Sequence, residues 1–277
     1  MKVFTCACVL AISISIGCFG QNGTQESPVY VKVSGFYGLL TPGTERYTMA
    51  SFNSANTVFE VGKKRLGAGP RAGVGIGYII NDFINVGIDA DLLFGSELTA
   101  ANSSNTTTNR YTQQSTTNYR VLTITPNITF KALSQPGYYI YNRIGVGVGM
   151  LLTYETAITT VTTLPAANAG NYLRVSEMKA PPAVGFQTAL GVQFRVSDKL
   201  RGFVEMAAII LAFKPTELSD TKNLKNDSNF DKLNIFKFAD FGTYNTVEAA
   251  ASRTVTLPSR TVPVNSIGPG AGLVFRF

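Results

Sequence analysis

The chain contains no histidine and no tryptophan, and its three cysteines, Cys6, Cys8 and Cys18, all fall near the start. Without an imidazole, Ser-His-Asp triads and His-containing zinc sites are excluded. Charge is also scarce, at 15% of residues, and mean hydropathy is +0.12. Long apolar runs are missing as well: beyond the N-terminus the longest lies at about Ala207 to Phe213. A transmembrane helix needs roughly 18–20 consecutive apolar residues, so a helical membrane protein is excluded for the rest of the chain. The 277 residues allow one large or two modest domains.

Met1 to Gly20 has the three parts of a secretory signal. Lys2 supplies the positive charge, Val9 to Ile16 the apolar stretch, and Cys18-Phe19-Gly20 a small-residue cleavage site before Gln21. Cleavage there would discard every cysteine, leaving a mature chain without disulfide or thiol chemistry. The alternative is a lipidated Cys18, against which Ser15 stands where a lipobox prefers Leu. Either way the chain is expected to be exported, with residues 21–28 as a short periplasmic N-terminal segment and residues 29–277 as the folded domain.

That domain alternates between apolar segments of period two and polar connections. The segments are Val29–Leu40, Arg71–Ile80, Phe83–Phe94, Tyr119–Ala132, Tyr138–Thr153, Ala183–Val196, Leu200–Phe213 and Ser266–Phe277. Asn81-Asp82, Ser134-Gln135-Pro136-Gly137 and Ser197-Asp198-Lys199 are tight turns of the usual turn residues. The long connections lie near 41–70, 95–118, 154–182 and 214–265, and they alternate strictly with the short ones. This order predicts an all-β, eight-stranded, antiparallel up-and-down transmembrane β-barrel, with short turns in the periplasm and long loops outside. Within the sixth segment Val184, Phe186, Leu190, Val192 and Phe194 share one face, and Gly185, Gln187, Ala189, Gly191 and Gln193 the other. A soluble sandwich shows the same period. Its strands are nearer 5–6 residues, however, and a face of glycines would make a poor core.

The last residues, Gly270-Ala271-Gly272-Leu273-Val274-Phe275-Arg276-Phe277, resemble the C-terminal strand signal of bacterial outer-membrane proteins. Gly272, Phe275 and Phe277 match it, while Gly270 departs from the polar residue expected there. With the strand count and loop asymmetry, residues 29–277 resemble small outer-membrane barrels of the OmpA/OmpX/opacity-protein type. The resemblance implies an outer-membrane location, lipid and lipopolysaccharide as surroundings, and the barrel-assembly machinery as the reader of the C-terminal signal. It implies no nucleic-acid partner. The chain would lack the periplasmic peptidoglycan-binding domain often added to OmpA-type proteins. Enzymes of this architecture use a histidine that this chain lacks, so no catalytic residue, cofactor or metal is expected.

Three glycine ladders, beginning at Gly73, Gly145 and Gly268, lack the G-x-G-x-x-G spacing of a nucleotide site. Period-two glycine instead empties one strand face, giving space to inward Tyr139, Tyr141, Phe83 and Arg143 in a barrel barely wide enough for its own side chains. Inward parity also gathers Lys32, Asp89, Asp91, Arg143, Arg195 and Glu205, with Lys131, Arg201 and Arg276. The first six are expected to form a structural salt-bridge network, the alternatives being an ion path or an Asp89–Asp91 catalytic pair. Arg195, Arg201 and Lys131 lie near the turns, where water reaches them. Outward Tyr78, Phe130, Phe194 and Phe277 are expected at the periplasmic boundary, and Tyr37, Phe94 and Tyr154 at the outer one. Pro126 predicts a bulge or register irregularity.

Glu97 to Asn118 is dominated by Thr, Asn and Ser and reads as mobile and hydrophilic. Its sequon-like Asn102-Ser103-Ser104 and Asn105-Thr106-Thr107 arise from that composition. Lys63-Lys64-Arg65 could meet lipopolysaccharide phosphates. Leu233–Phe241 and Thr254–Val264 read as an outer hairpin, or as two further strands of a ten-stranded barrel. The function expected is a non-enzymatic barrel whose extracellular loops carry a structural, adhesive or surface-interaction role toward host or envelope proteins. The alternatives are a narrow channel for small or apolar solutes, of the OmpW kind, and an accessory barrel of a secretion system.

Overall fold

The computed structural model describes residues 28–39, 46–53, 57–62, 66–135, 137–240, 245–249 and 251–277. The signal segment, most of the short N-terminal segment and Lys63-Lys64-Arg65 lie outside them. Eight antiparallel strands close into a ring: β1 (Val29–Gly38), β2 (Gly69–Ile79), β3 (Ile84–Phe94), β4 (Arg110–Ser134), β5 (Tyr138–Leu164), β6 (Ala183–Arg195), β7 (Leu200–Ile210) and β8 (Ser266–Arg276). Each pairs with its neighbour, and β8 returns to β1 through Tyr30↔Arg276 to Phe36↔Gly270. Closure satisfies every strand edge, which is what lets β-structure cross a bilayer.

Side-chain polarity follows the pleat. On β3, Asn85, Asp89 and Leu93 are buried in the lumen while Ile88 and Phe94 are exposed. The outer wall carries Val74, Ile76, Ile144, Val184, Phe186, Leu190 and Val204, each more than 45% exposed. An apolar belt of that extent would be an aggregation hazard in water and is the natural surface in lipid. Tight turns close one end. Asn81 Oδ1 accepts the N–H groups of Phe83 and Ile84, both at 2.8 Å, and Ser197 Oγ that of Leu200. Phe83 therefore sits in an exposed turn and not in the lumen, because β3 begins after it.

At the other end β4 and β5, of 25 and 27 residues, run far past the roughly 9–11 needed to cross. Their outer halves anchor a second storey. Leu98–Asn105 pairs with Arg110–Thr117 of β4, and Gly170–Lys179 with β5. Glu217–Lys225 pairs with Gly170–Lys179, and Glu217–Ser219 also with Ile235–Lys237. The stretch read as mobile is therefore largely strand. Threonine favours the pleated surface, and composition alone hid that. Leu233–Ala239 and Ser252–Pro258 lie outside the ring and pair in parallel, so they make neither an antiparallel hairpin nor two further barrel strands. Arg46–Asn53 and Leu98–Asn105 also pair in parallel.

Two other expectations change. Pro126 causes no register shift: Ile124↔Val148 and Asn127↔Gly145 share one register, and only the two intervening pairs are lost. Asn127 Nδ2 donates to Thr125 O across the gap. Tyr154 is buried, not lipid-facing. Between Arg120↔Thr153 and Val121↔Leu151, Leu152 is an extra residue on β5, and one extra residue reverses which parity faces inward.

If the belt lies in lipid, Ile144→Arg should destabilise the barrel by about 2–4 kcal/mol. Thr159→Arg, exposed on the outer half of the same strand, should stay within about 0.5 kcal/mol. Urea titration of the protein folded into vesicles measures both.

Candidate functional site

The lumen is filled in three levels. Nearest the turns, Tyr139, Tyr141, Phe203 and Val274 form an apolar cluster with Tyr30 against it. In the middle lie the charges. Toward the loops Leu93, Val121, Leu211, Phe213 and Val264 pack with Tyr119 and Tyr154. Leu211 and Phe213 continue the inward parity of Ala207 and Ile209 beyond β7, and the Phe213 side chain is fully buried.

The middle level is a chain of ion pairs. Lys32 Nζ lies 2.5 Å from Asp89 Oδ2, and Arg143 Nη1 lies 3.2 Å from the same oxygen. Arg143 Nη2 reaches Glu205 Oε1 at 2.7 Å, and Tyr141 donates its hydroxyl to Glu205 Oε2 at 2.6 Å. Asp91 is held apart from this chain by Arg71, at 2.7 Å. Arg71 also donates to Ser266 Oγ, which in turn donates to the Gly67 carbonyl. Asp89 and Asp91 thus answer to different cations, which is unsuited to shared acid–base work. Three cations face three carboxylates, so the buried level is neutral.

The ladder explains how these groups meet. Gly75 pairs with Lys32 on one side and Asp89 on the other. Gly191 likewise sits between Tyr141 and Glu205. A Cβ at Gly75 would run into the Asp89 carboxylate, and one at Gly191 would meet the Tyr141 ring at 2.7 Å. Glycine in the middle strand lets the side chains of its two neighbours bond across it. Arg195 does not join this network. It ends β6 at the rim, and its partner is Asp198 in the next turn.

The filling leaves little space. Two cavities of about 30 Å³ each flank the charged level, enough for about one water apiece. Gly272 faces the lumen, where the Phe203 ring occupies the space its side chain would need, while Phe275 and Phe277 point outward at the turn end. No cluster of three or more metal-ligating residues occurs among the described residues.

The fold is a closed eight-stranded barrel with an apolar outer belt. Neisserial surface protein A is similar at 10% identity, with 91% of this chain and 99% of that chain covered and a TM-score of 0.41. Outer membrane protein OprG from Pseudomonas aeruginosa is similar at 12% identity, with 91% and 97% covered and a TM-score of 0.40. No protein-family model and no curated relative matches the sequence. The architecture rests on the closed ladder and the apolar belt themselves.

The outer storey has its own polar centre, which sequence reading missed because its members are far apart in the chain. The Asp220 side chain is fully buried. Its Oδ1 accepts from Arg174 Nε at 2.8 Å and Ser176 Oγ at 2.7 Å, and its Oδ2 from the Asn234 amide at 2.8 Å. Arg253 then donates twice to Asn234 Oδ1. Four outer strands are tied through one carboxylate. Burial by itself would raise the Asp220 carboxyl, but the bonds from Arg174, Ser176 and Asn234 outweigh it and hold it below the ordinary carboxylate range. At the tip, Tyr172 and Phe230 stack edge-on with centroids 5.1 Å apart, and Lys225 Nζ lies over both rings.

Glu205→Leu leaves Arg143 with one carboxylate and Tyr141 with no acceptor, and should cost about 3–5 kcal/mol. Adding Arg143→Met restores charge balance, so the double variant should be more stable than Glu205→Leu alone in the same urea titration. For Asp220, a depressed carboxyl adds stability above its unfolded value, near pH 4, and loses it as pH falls through the lower folded value. Amide protection factors in residues 170–179 and 217–239, taken relative to the intrinsic rate at each pH, should therefore fall in acid, and Asp220→Asn should abolish that pH dependence.

Proposed function

We propose that this chain is a non-enzymatic outer-membrane barrel, closed through the bilayer, whose folded outer storey serves as a contact surface for envelope or host proteins. The observation that carries the reading is the contrast between the two storeys. Below, every inward charge of the middle level has an opposite partner, and an apolar layer covers it on the loop side. Above, strands extend beyond the membrane and are braced internally by Asp220. A chain selected only to span would need no such upper sheet.

The tip suits contact with a protein. Phe230 is 51% exposed yet oriented by Tyr172 and Lys225. Rigid aromatics flanked by a cation are the usual energetic anchors of interfaces. Lipid and lipopolysaccharide would surround the barrel, and the outward pair Phe275 and Phe277 near the β8 terminus would be available to the assembly machinery. The non-enzymatic part of the reading is supported by the absence of histidine and by the locked state of Asp89, Asp91 and Glu205.

Planar-bilayer recording separates this reading from a narrow channel or transporter. The wild-type protein should insert without steady conductance steps, and sizeable steady steps would sink the sealed-barrel reading. A secretion-accessory role would appear instead as stoichiometric co-purification of secretion components in mild detergent.

A further inference from the structure

Resting on the contact-surface reading of the outer storey, we propose that one face of it docks an extended acidic segment of a partner protein. Lys225, Arg253 and Arg260 would hold that segment. Four strands build the face: Gly170–Lys179, Glu217–Lys225, Leu233–Ala239 and Ser252–Pro258. Tyr172, Arg174 and Ser176 alternate onto one side of the first. Ser176 and Asn234 both bond Asp220, so Asn234, Phe236 and Phe238 belong to the same side.

The three cations are positioned by uncharged groups. Lys225 Nζ lies 5.2 Å from the Tyr172 centroid and 5.5 Å from that of Phe230. Arg260 Cζ lies 4.9 Å from the Phe238 centroid, and Arg253 donates from Nε and Nη2 to Asn234 Oδ1. Neighbouring cations meet carboxylates instead: Arg174 bonds the buried Asp220, Lys232 bonds Glu248 and Lys214 bonds Asp240. The face is therefore positive, with Asp227 and Asp231 at its rim in the connecting turns. A ring attracts a cation without consuming its N–H donors. Lys225 and Arg260 thus keep donors for a carboxylate, and their ordering lowers the rotamer entropy lost on binding. The rings are already covered by these cations, which favours an acidic peptide over a sugar that would need to stack on them.

The cations also sit at equal steps. Four residues separate Tyr172 from Ser176, and Ser176 is level with Asp220 and Asn234. Another four separate Asn234 from Phe238. Four residues of strand span about 13 Å, and an extended peptide has the same rise. Acidic residues at i, i+4 and i+8 of such a peptide would share one side and meet Lys225, Arg253 and Arg260 in turn. The opposite face of the sheet differs, since there Lys179 lies 2.9 Å from Glu217, and Glu177 pairs across the ladder with Glu155.

The full-length barrel in detergent is titrated with a fluorescent nine-residue peptide carrying Glu at its first, fifth and ninth positions and Ser or Thr elsewhere. Anisotropy at low ionic strength reads the binding. A second peptide has its three Glu residues adjacent. Saturable binding of one spaced peptide per chain, weaker for the clustered one, supports the site when Lys225→Gln and Arg260→Gln weaken it at least threefold and Lys179→Gln leaves it nearly unchanged. Heat-modifiable gel mobility identifies folded variants, and either of the first two suffices if the other fails to fold. No binding to the folded wild type, equal binding of both peptides, or an equal loss in Lys179→Gln overturns the proposal. Capture of a sulfated oligosaccharide by these residues in place of the peptide overturns it as well. Conductance recording on the same preparation keeps the two readings apart: a silent barrel that binds no peptide loses only this site, and a conducting one that binds it loses only the sealed barrel.

Discussion

Everything in the lower storey depends on neutralising charge inside a ring of eight strands that has little room to hydrate it. Arg143 is the joint. Its guanidinium touches Asp89 on one side and Glu205 on the other, and Lys32 and Tyr141 complete the oxygens it leaves. A guanidinium with its donors in a rigid fork can serve two carboxylates from different strands, whereas an ammonium is a single point of charge. The glycines at 75 and 191 follow from the same constraint. They sit in the ladder between the groups that must meet, so the ion pairs set where side chains have to be absent. Glycine in these strands is less a loss of strand propensity than the condition for lateral bonding inside a narrow barrel.

The outer storey solves a different problem with similar means. Its strands have water at hand, so a closed ring is unnecessary and parallel pairings are tolerated. Thr, Ser and Asn are frequent in its sequence, and Asp220 adds a polar centre to the apolar contacts made by Leu98, Met178 and Leu218. One buried carboxylate collects donors from Arg174, Ser176 and Asn234, and Arg253 extends the network to a further strand. A charge-assisted hydrogen bond contributes roughly 1.5–3 kcal/mol, so three such bonds can fix a sheet that apolar burial would leave loose.

Much of the barrel is legible in the chain because period-two alternation and turn chemistry are local. The Asn81 and Ser197 turns, the inward Asp89 and Arg143 and the outward Tyr78 and Phe194 all follow from neighbours within a few residues. What is not legible depends on register. A single unpaired residue, Leu152, reverses the parity of β5 and carries Tyr154 inward. Parity gathers Arg195 with the luminal charges, but only its height along the barrel places it at the rim beside Asp198. The Thr-rich stretch before Tyr119 misleads for another reason. Its composition matches both a solvated loop and a two-sided polar strand, and the long partner strand β5 decides between them. Asp220 is invisible for the same cause, since nothing local marks it as the residue on which Arg174 and Asn234 converge.

The distribution of charge links the two storeys. The formal charge is +7, yet the six ion-paired groups of the middle level, three of each sign, contribute nothing to it. The excess must therefore lie in the parts of the chain outside that level. Neutrality in the middle is enforced by desolvation, because an uncompensated charge there would cost several kcal/mol. At the ends water and headgroups relax that demand. Lys131 and Arg201 lie over the Tyr139 ring at one end, and Lys225 over the Tyr172 ring at the other tip. Ion pairing in the middle level thus leaves the net positive charge to the rest of the chain.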